Sequence, residues 1–473
     1  MTARQWMLVM LLGALMPPAL AQNEYSAQVA QLIEAGRSSN LALQAAGSDV
    51  RRAQAQLDEA RARYRPTVAL SARYSRADGG RTQSLPVGDL VNPAYQTLNE
   101  LLQAQGQPPR FGAIANQEIR FLREREQDTR LSLTQPLYAP AIAAGIDAAA
   151  ATVAASDAAR AAYERSLERD IEVAYLDFLR AGEAVKIVES SRDLLVENLR
   201  VNRVLFDNGK ITRDQVLRAE AEKLAVEQQL LDAGNRQTLA RNYLNFLLNR
   251  PLDADVASTA APEPLAHVRQ QLATLGAEAV DDDGRLEAQA RGARFELQQL
   301  QAQSRAAEAA VEAERASYLP TVAFALDAGI QGEDYGFGSG RNFAMASLVL
   351  DWRIADFGQR RSRVSAARAS RERVEIAQAE VAQQISLEVR QAADRLRTAQ
   401  ASLDTAQARQ NAATEAFRIA ARKRDAGSIA QVEFIDARSA QTSAELNLNL
   451  TRFDVLVSLA QLRAALALEN RRG

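Results

Sequence analysis

The chain has 473 residues, a formal net charge of −2, one histidine and no cysteine. That balance carries no basic footprint for nucleic acid, and the lack of thiols excludes disulfides, thiolate metal sites and lipid attachment through an N-terminal cysteine. Few aromatics (5%) and many charged residues (25%) on an alanine-rich background are the composition of long helices and coiled coils.

Met1 to Ala21 has the layout of a secretory signal. Arg4 supplies the positive start, Met7 to Met16 the apolar run and Ala19-Leu20-Ala21 the cleavage site, so the mature chain is expected to begin at Gln22. The apolar run is too short for a membrane anchor, and no later stretch reads as a transmembrane helix. An exported chain can still cross a membrane as β-strands, whose hydropathy signal is weak.

The first strand candidate follows Tyr64-Arg65-Pro66. Val68, Leu70, Ala72 and Tyr74 alternate with Thr67, Ala69, Ser71, Arg73 and Ser75, which gives one apolar and one polar face. The segment Arg76 to Thr129 reads as a long loop, after which Leu131 and Leu133 alternate with Arg130, Ser132 and Thr134. From Pro140 to Pro251 there is no intervening proline, so a long helix is permitted from Pro140 to Asp207. At about 1.5 Å per residue it would run roughly 100 Å. Ile187, Leu194 and Val201 fall seven apart, as do Leu217, Leu224 and Leu231, the seam spacing of coiled coils. Between these runs, Asn208-Gly209 offers a left-handed helix cap and Thr212-x-x-Gln215 a capping box for the returning helix. His267, in the polar stretch that follows, is expected at the surface.

The chain then repeats itself. Tyr64-Arg65-Pro66-Thr67-Val68-Ala69-Leu70 returns 254 positions later as Tyr318-Leu319-Pro320-Thr321-Val322-Ala323-Phe324, and the segment around Gly209 returns 218 positions later around Gly427. The difference between the two spacings is one long loop against one short one. Val322, Phe324 and Leu326 mark a third strand, and Leu348, Leu350 and Trp352 a fourth within Phe343 to Trp352. No proline follows Pro320, so a second long helix can run from Phe357 to Ala426, with Val389, Leu396 and Leu403 as its seam. Gly427 ends it, and Ser428-x-x-Gln431 offers another capping box. The expected organisation is a signal over 1–21, a first repeat over 22–250, a linking helical segment over 251–294 and a second repeat over 295–473, with two helical hairpins whose tips are Gly209 and Gly427.

Four strands cannot close a barrel, and an open sheet in lipid leaves unpaired edges. Strands of this length would therefore have to be shared among several chains, whether two, three or four. The alternative is a soluble β-subdomain capping a coiled coil. An aromatic rim from Tyr64, Tyr74, Tyr138, Tyr318 and Trp352 fits the membrane reading.

Over almost all of its mature length the chain resembles the TolC family of outer-membrane efflux proteins. The likeness is carried, in the family's order, by Tyr64 to Tyr74, Leu131 to Tyr138, the stretch from Asn208, "YLPTVAFAL" from Tyr318, Leu350 to Gly358, and "AGSIAQVEFIDARSA" from Ala426. The resemblance implies a mainly α fold with a small transmembrane β part: long antiparallel coiled-coil hairpins, and four strands per chain in a 12-stranded barrel shared by a homotrimer. It implies an exit duct in the Gram-negative outer membrane, extending into the periplasm and serving a tripartite efflux pump or type I secretion system. The partners would be a periplasmic adaptor, an inner-membrane transporter and outer-membrane lipid.

The second half of the Arg76–Thr129 loop, with Gly329 to Asn342, would lie outside the cell, and the segment 251–294 would form an equatorial belt. Glu433 and Asp436 match the acidic rings that narrow the family's tunnel. Arg424 and Ile429 stand where better-known members carry a tyrosine and an arginine that lock the tip. Gln215 and Arg218 occupy the equivalent places in the first hairpin, and Arg218 is the candidate partner of the acids.

An adaptor or structural protein without a pore is the rival reading; two hairpins and paired strands argue against it. No catalytic constellation, cofactor or metal site is expected, and "GFGSG" from Gly336 lies between strands rather than in a strand-to-helix phosphate loop.

Overall fold

A computed structural model describes residues 18–274 and 282–468. Most of the expected signal, residues 1–17, lies outside the described residues. The chain divides into two compact units, to each of which both sequence repeats contribute. One is drawn from the chain up to Ala55, Ala149–Glu308 and Ala369 onward; the other is Gln56–Ala148 with Ala309–Arg368.

In chain order the elements are α1 (Pro18–Ser39), α2 (Leu41–Ala62), β1 (Thr67–Arg76), β2 (Thr82–Leu85), α3 (Val87–Ala104), β3 (Gln117–Arg120), β4 (Arg125–Tyr138), α4 (Pro140–Asp207), α5 (Arg213–Leu247), α6 (Pro264–Thr274), α7 (Asp283–Ala293), α8 (Phe295–Ala316), β5 (Thr321–Gly332), β6 (Asn342–Asp351), α9 (Gln359–Asp425) and α10 (Gln431–Ala465). The long helices α4 and α9 fill the two proline-free spans. One 18-residue window of α4 reaches a mean hydropathy of 1.2, enough by composition for a membrane span, which corrects the expectation that no such stretch exists. Its apolarity comes largely from alanines near Pro140, which raise hydropathy without a bulky side chain.

The β-containing unit is built on a four-stranded antiparallel sheet in the order β1-β4-β5-β6, so β1 and β6 are open edges. Leu70 pairs with Leu131, Leu133 with Leu326 and Phe324 with Leu348, which gathers the leucines of all four strands on one face, while Phe343, Met345 and Val349 of β6 turn to the other. That face is bare: Leu70 is 74% exposed, Leu348 69% and Leu350 63%. The other face carries Arg73, Asp128, Arg130 and Asp327. Asp128 accepts a hydrogen bond from Arg130 at 2.5 Å, and the Ser132 hydroxyl donates to Asp327 at 2.5 Å.

Pro136, which has no N–H to give the ladder, marks a register shift before Tyr138. Gly329 lies so close to β4 that a Cβ there would meet the Thr129 carbonyl oxygen at 2.2 Å. Tyr64, Tyr138, Tyr318 and Trp352 gather at one end of the sheet, where the Tyr64 hydroxyl donates to the Ala139 carbonyl and Trp352 Nε1 to the Tyr318 carbonyl. The segment read as a long loop is not irregular: it contains β2, β3 and the helix α3.

In the helical unit, one core joins α6, α7, α9 and α10 around Val268, Val389, Leu396 and Leu462. A second joins α1, α4, α5 and α10 around Leu32, Ile171, Tyr175 and Leu244. The seam Val389–Leu396–Leu403 is buried, as the seven-residue spacing predicts. The seam Leu217–Leu224–Leu231 is not; these side chains are 54%, 55% and 75% exposed.

His267 is also corrected. It is 4% exposed, on the first turn of α6, with its ring edge-on to Tyr25 at 5.9 Å. Its neighbours in sequence are polar, but the helix turns it inward. Burial, with the positive charge of Arg463, pushes its pKa from the ordinary 6.5 to about 4. Between those values the unfolded chain takes up a proton that the folded chain refuses, so stability falls as pH drops from 6.5 and is flat above it. The expected loss is about 2 kcal/mol by pH 5. Denaturant midpoints at pH 7.5 and 5 check this, with His267→Gln predicted to shrink the difference.

Candidate channel constriction

Both hairpin tips are made the same way. The Gly209 N–H donates to the Phe206 carbonyl and the Lys210 N–H to Leu205, each at 2.8 Å. Gly427 and Ser428 repeat the pattern on Arg424 and Lys423, also at 2.8 Å. Gly209 and Gly427 take φ of 63° and 68°, a conformation that costs glycine little and reverses the chain within a few residues.

The two capping boxes do not form. Thr212 precedes α5 without a side-chain cap. The residue before α10 is Ala430; the Ser428 hydroxyl donates back to the Lys423 carbonyl, and Gln431 donates instead to Asn198 Oδ1 on α4 at 3.2 Å. A polar partner on another helix outcompetes the local box.

Glu433 and Asp436 lie in the first turns of α10 and are both exposed, three residues apart on one face. The exposed face continues through Ala440 and Ser443, while Phe434, Ile435 and Arg438 turn inward. Along α5 a matching polar stripe runs Arg218, Glu222, Ala225, Gln229, Asp232 and Arg236. Arg218 is exposed, and among the described residues of a single chain it is joined by no ion pair to Glu433 or Asp436. Both stripes lie on the returning helices of the two hairpins. Where they approach, α4, α5 and α10 leave a cavity of about 310 Å³ lined by Glu222, Asp232, Arg236 and Arg438.

Beneath the acidic face lies a feature that sequence reading did not find. The Arg424 guanidinium sits 4.2 Å from the Phe434 ring centre, Phe434 lies 5.5 Å from the Phe417 ring, and Arg438 sits 5.4 Å from Phe417 on its own side. Arg438 is 6% exposed and donates through Nη1 to Gln441 Oε1 at 3.0 Å. Burial lowers the pKa of both arginines. Arg424 thus clasps α9 to α10 through an aromatic ring.

A sequence profile of the outer membrane efflux protein family matches residues 32–250 and 286–468. The chain belongs to the outer membrane efflux protein family. Solved structures agree in fold. The outer membrane channel CmeC of Campylobacter jejuni is 15% identical with a TM-score of 0.72, covering 94% of this chain and 87% of that one. VceC of Vibrio cholerae is 18% identical with a TM-score of 0.72, over 93% and 96%. The open state of MtrE of Neisseria gonorrhoeae is 18% identical with a TM-score of 0.71, over 93% and 89%. No curated protein matches by sequence. An outer membrane efflux protein is a channel, so the reading as a pore-less adaptor finds no support here.

Proposed function

We propose that this outer membrane efflux protein is a homotrimeric exit duct, passively conducting what an inner-membrane transporter and a periplasmic adaptor deliver, in a tripartite efflux pump or a type I secretion system. The observation that carries this reading is the open sheet. Its apolar face is bare and both edges are unpaired, a combination that lipid tolerates only when neighbouring copies close the barrel. Three copies give twelve strands. The exposed Leu217–Leu224–Leu231 stripe of α5 supplies a second surface for a neighbouring copy, and the segment 251–294 would belt the helical tunnel between the two repeats.

In the trimer, Glu433 and Asp436 bring six carboxylates to the constriction, a ring that favours cations and invites block by multivalent ones. Conductance of the purified protein in planar bilayers tests this. The double variant Glu433→Gln/Asp436→Asn is expected to weaken block by a trivalent cation at least tenfold; unchanged block removes these residues from the gate. Arg218 is the proposed partner of the acids in the closed state, across copies rather than within one. Unaltered conductance and drug leakage in Arg218→Ala would rule that pairing out.

A further inference from the structure

The β1–β4 hairpin does not stop where the four-stranded sheet does. Past Arg76 and Arg125 the ladder continues through bonds from Ala77 N–H to Glu124 O and from Phe121 N–H to Arg81 O, and then into β2–β3. The helix α3 is carried at the far end of this ribbon.

One flank of α3 is fully engaged by the returning chain. Asn92 exchanges two hydrogen bonds with the backbone of Ile114, at 2.9 and 2.8 Å. Asn99 accepts from the N–H groups of Arg110 and Phe111 and donates to the Phe111 carbonyl. Tyr95 packs on Phe111 with ring centres 5.0 Å apart. Gly88 is pressed against the Ile114 carbonyl, which a Cβ would meet at 2.3 Å. The helix therefore cannot roll, and the face it leaves open is fixed.

That face is apolar. Val87, Leu90, Ala94, Leu98 and Leu101 lie along it, with Leu90 76% and Leu101 56% exposed. Val87, Ala94 and Leu101 fall seven apart, the spacing at which one helix packs along another. A helix meant for a lipid surface carries lysine or arginine on its polar side. From Val87 to Ala104 there is neither, only Asp89 and Glu100, so an anionic lipid surface repels this helix.

We propose that α3 packs by this stripe against the α3 helices of the neighbouring copies, forming an apolar seam over the mouth of the shared barrel. The inference rests on the trimeric reading, because the barrel is what gathers three identical ribbons at one mouth. Its occupant is a second copy of this chain, through the same face.

The lack of native cysteine makes the test direct. Leu101→Cys and, on the opposite side of the helix, Gln96→Cys are placed singly in the full chain, and outer membranes are treated with a short bifunctional maleimide. The expected result is a covalent two-chain species with Leu101→Cys and none with Gln96→Cys. An intact trimer in which Leu101→Cys is not linked and reacts with a water-soluble maleimide as fast as Gln96→Cys overturns the proposal. So does a Leu101→Cys that is unlinked and shielded until detergent is added, which assigns the stripe to lipid instead. Monomers on a semi-native gel of the unaltered protein would sink the trimeric reading itself, separately from the seam.

Discussion

Replacing Arg360 by alanine is expected to destabilise the β-containing unit by about 1.5–3 kcal/mol, the usual worth of hydrogen bonds made by a charged group. Arg360 is 5% exposed on the first turn of α9. Its Nε donates to Asp356 Oδ2 at 2.7 Å, Nη1 to the carbonyls of Arg353 and Ser317, and Nη2 to that of Ile354. The Tyr318 ring lies under the guanidinium, 4.6 Å away. One side chain thus ties the exit of β6 to the turn that enters β5. The turn it holds is strained, since Phe357 and Gly358 take φ of 51° and 105° in succession. Lysine carries the charge but not the planar fork, so Arg360→Lys should recover only part of the loss. Heat dissociation of the detergent-solubilised protein, followed on gels, measures both. Equal stability of Arg360→Ala and the unaltered chain would remove this residue from the list of structural anchors.

What could be read from the amino acids depended on periodicity. Proline-free spans announced α4 and α9, and the glycines that end them were visible because the pattern occurs twice. Strand alternation was legible at Val68–Tyr74 and Val322–Leu326 because one face of the sheet is apolar there and the other polar. Three things escaped. The helix α3 carries apolar residues at helical spacing from Val87 to Leu102, but Pro93 within it and its place in a long insertion hid the pattern. His267 was misjudged because polar neighbours say nothing about which way a helix turns one residue. The arginine–phenylalanine stack joins residues 417 and 434 across a hairpin, and a geometry that depends on tertiary contact leaves no local signal. The α5 seam shows the converse case: Leu217, Leu224 and Leu231 have the spacing of packing residues, yet among the described residues of a single chain they stay exposed.

The stack at the second tip makes the other large prediction. Phe434 is 3% exposed and held between the Phe417 ring and the Arg424 guanidinium. Truncating such a ring to alanine costs about 3–5 kcal/mol, and the lost cation–π contact adds up to about 2 where the cation is partly dry. The consequence is local before it is global. With the ring gone, Arg424 returns to water, and the first turn of α10, which lacks a side-chain cap, leans on the Gln431–Asn198 hydrogen bond to α4. That turn carries Glu433, and Asp436 follows on the next, so the carboxylates lose their fixed spacing as the turn frays. Phe434→Ala is therefore expected to raise hydrogen exchange across residues 425–436 and to make cells leak large antibiotics, while Phe434→Leu, which keeps an apolar filler but no π face, falls between the two. If Phe434→Ala lowers thermal stability but leaves exchange at the tip unchanged, the stack is core packing alone and the acidic face is held by something else.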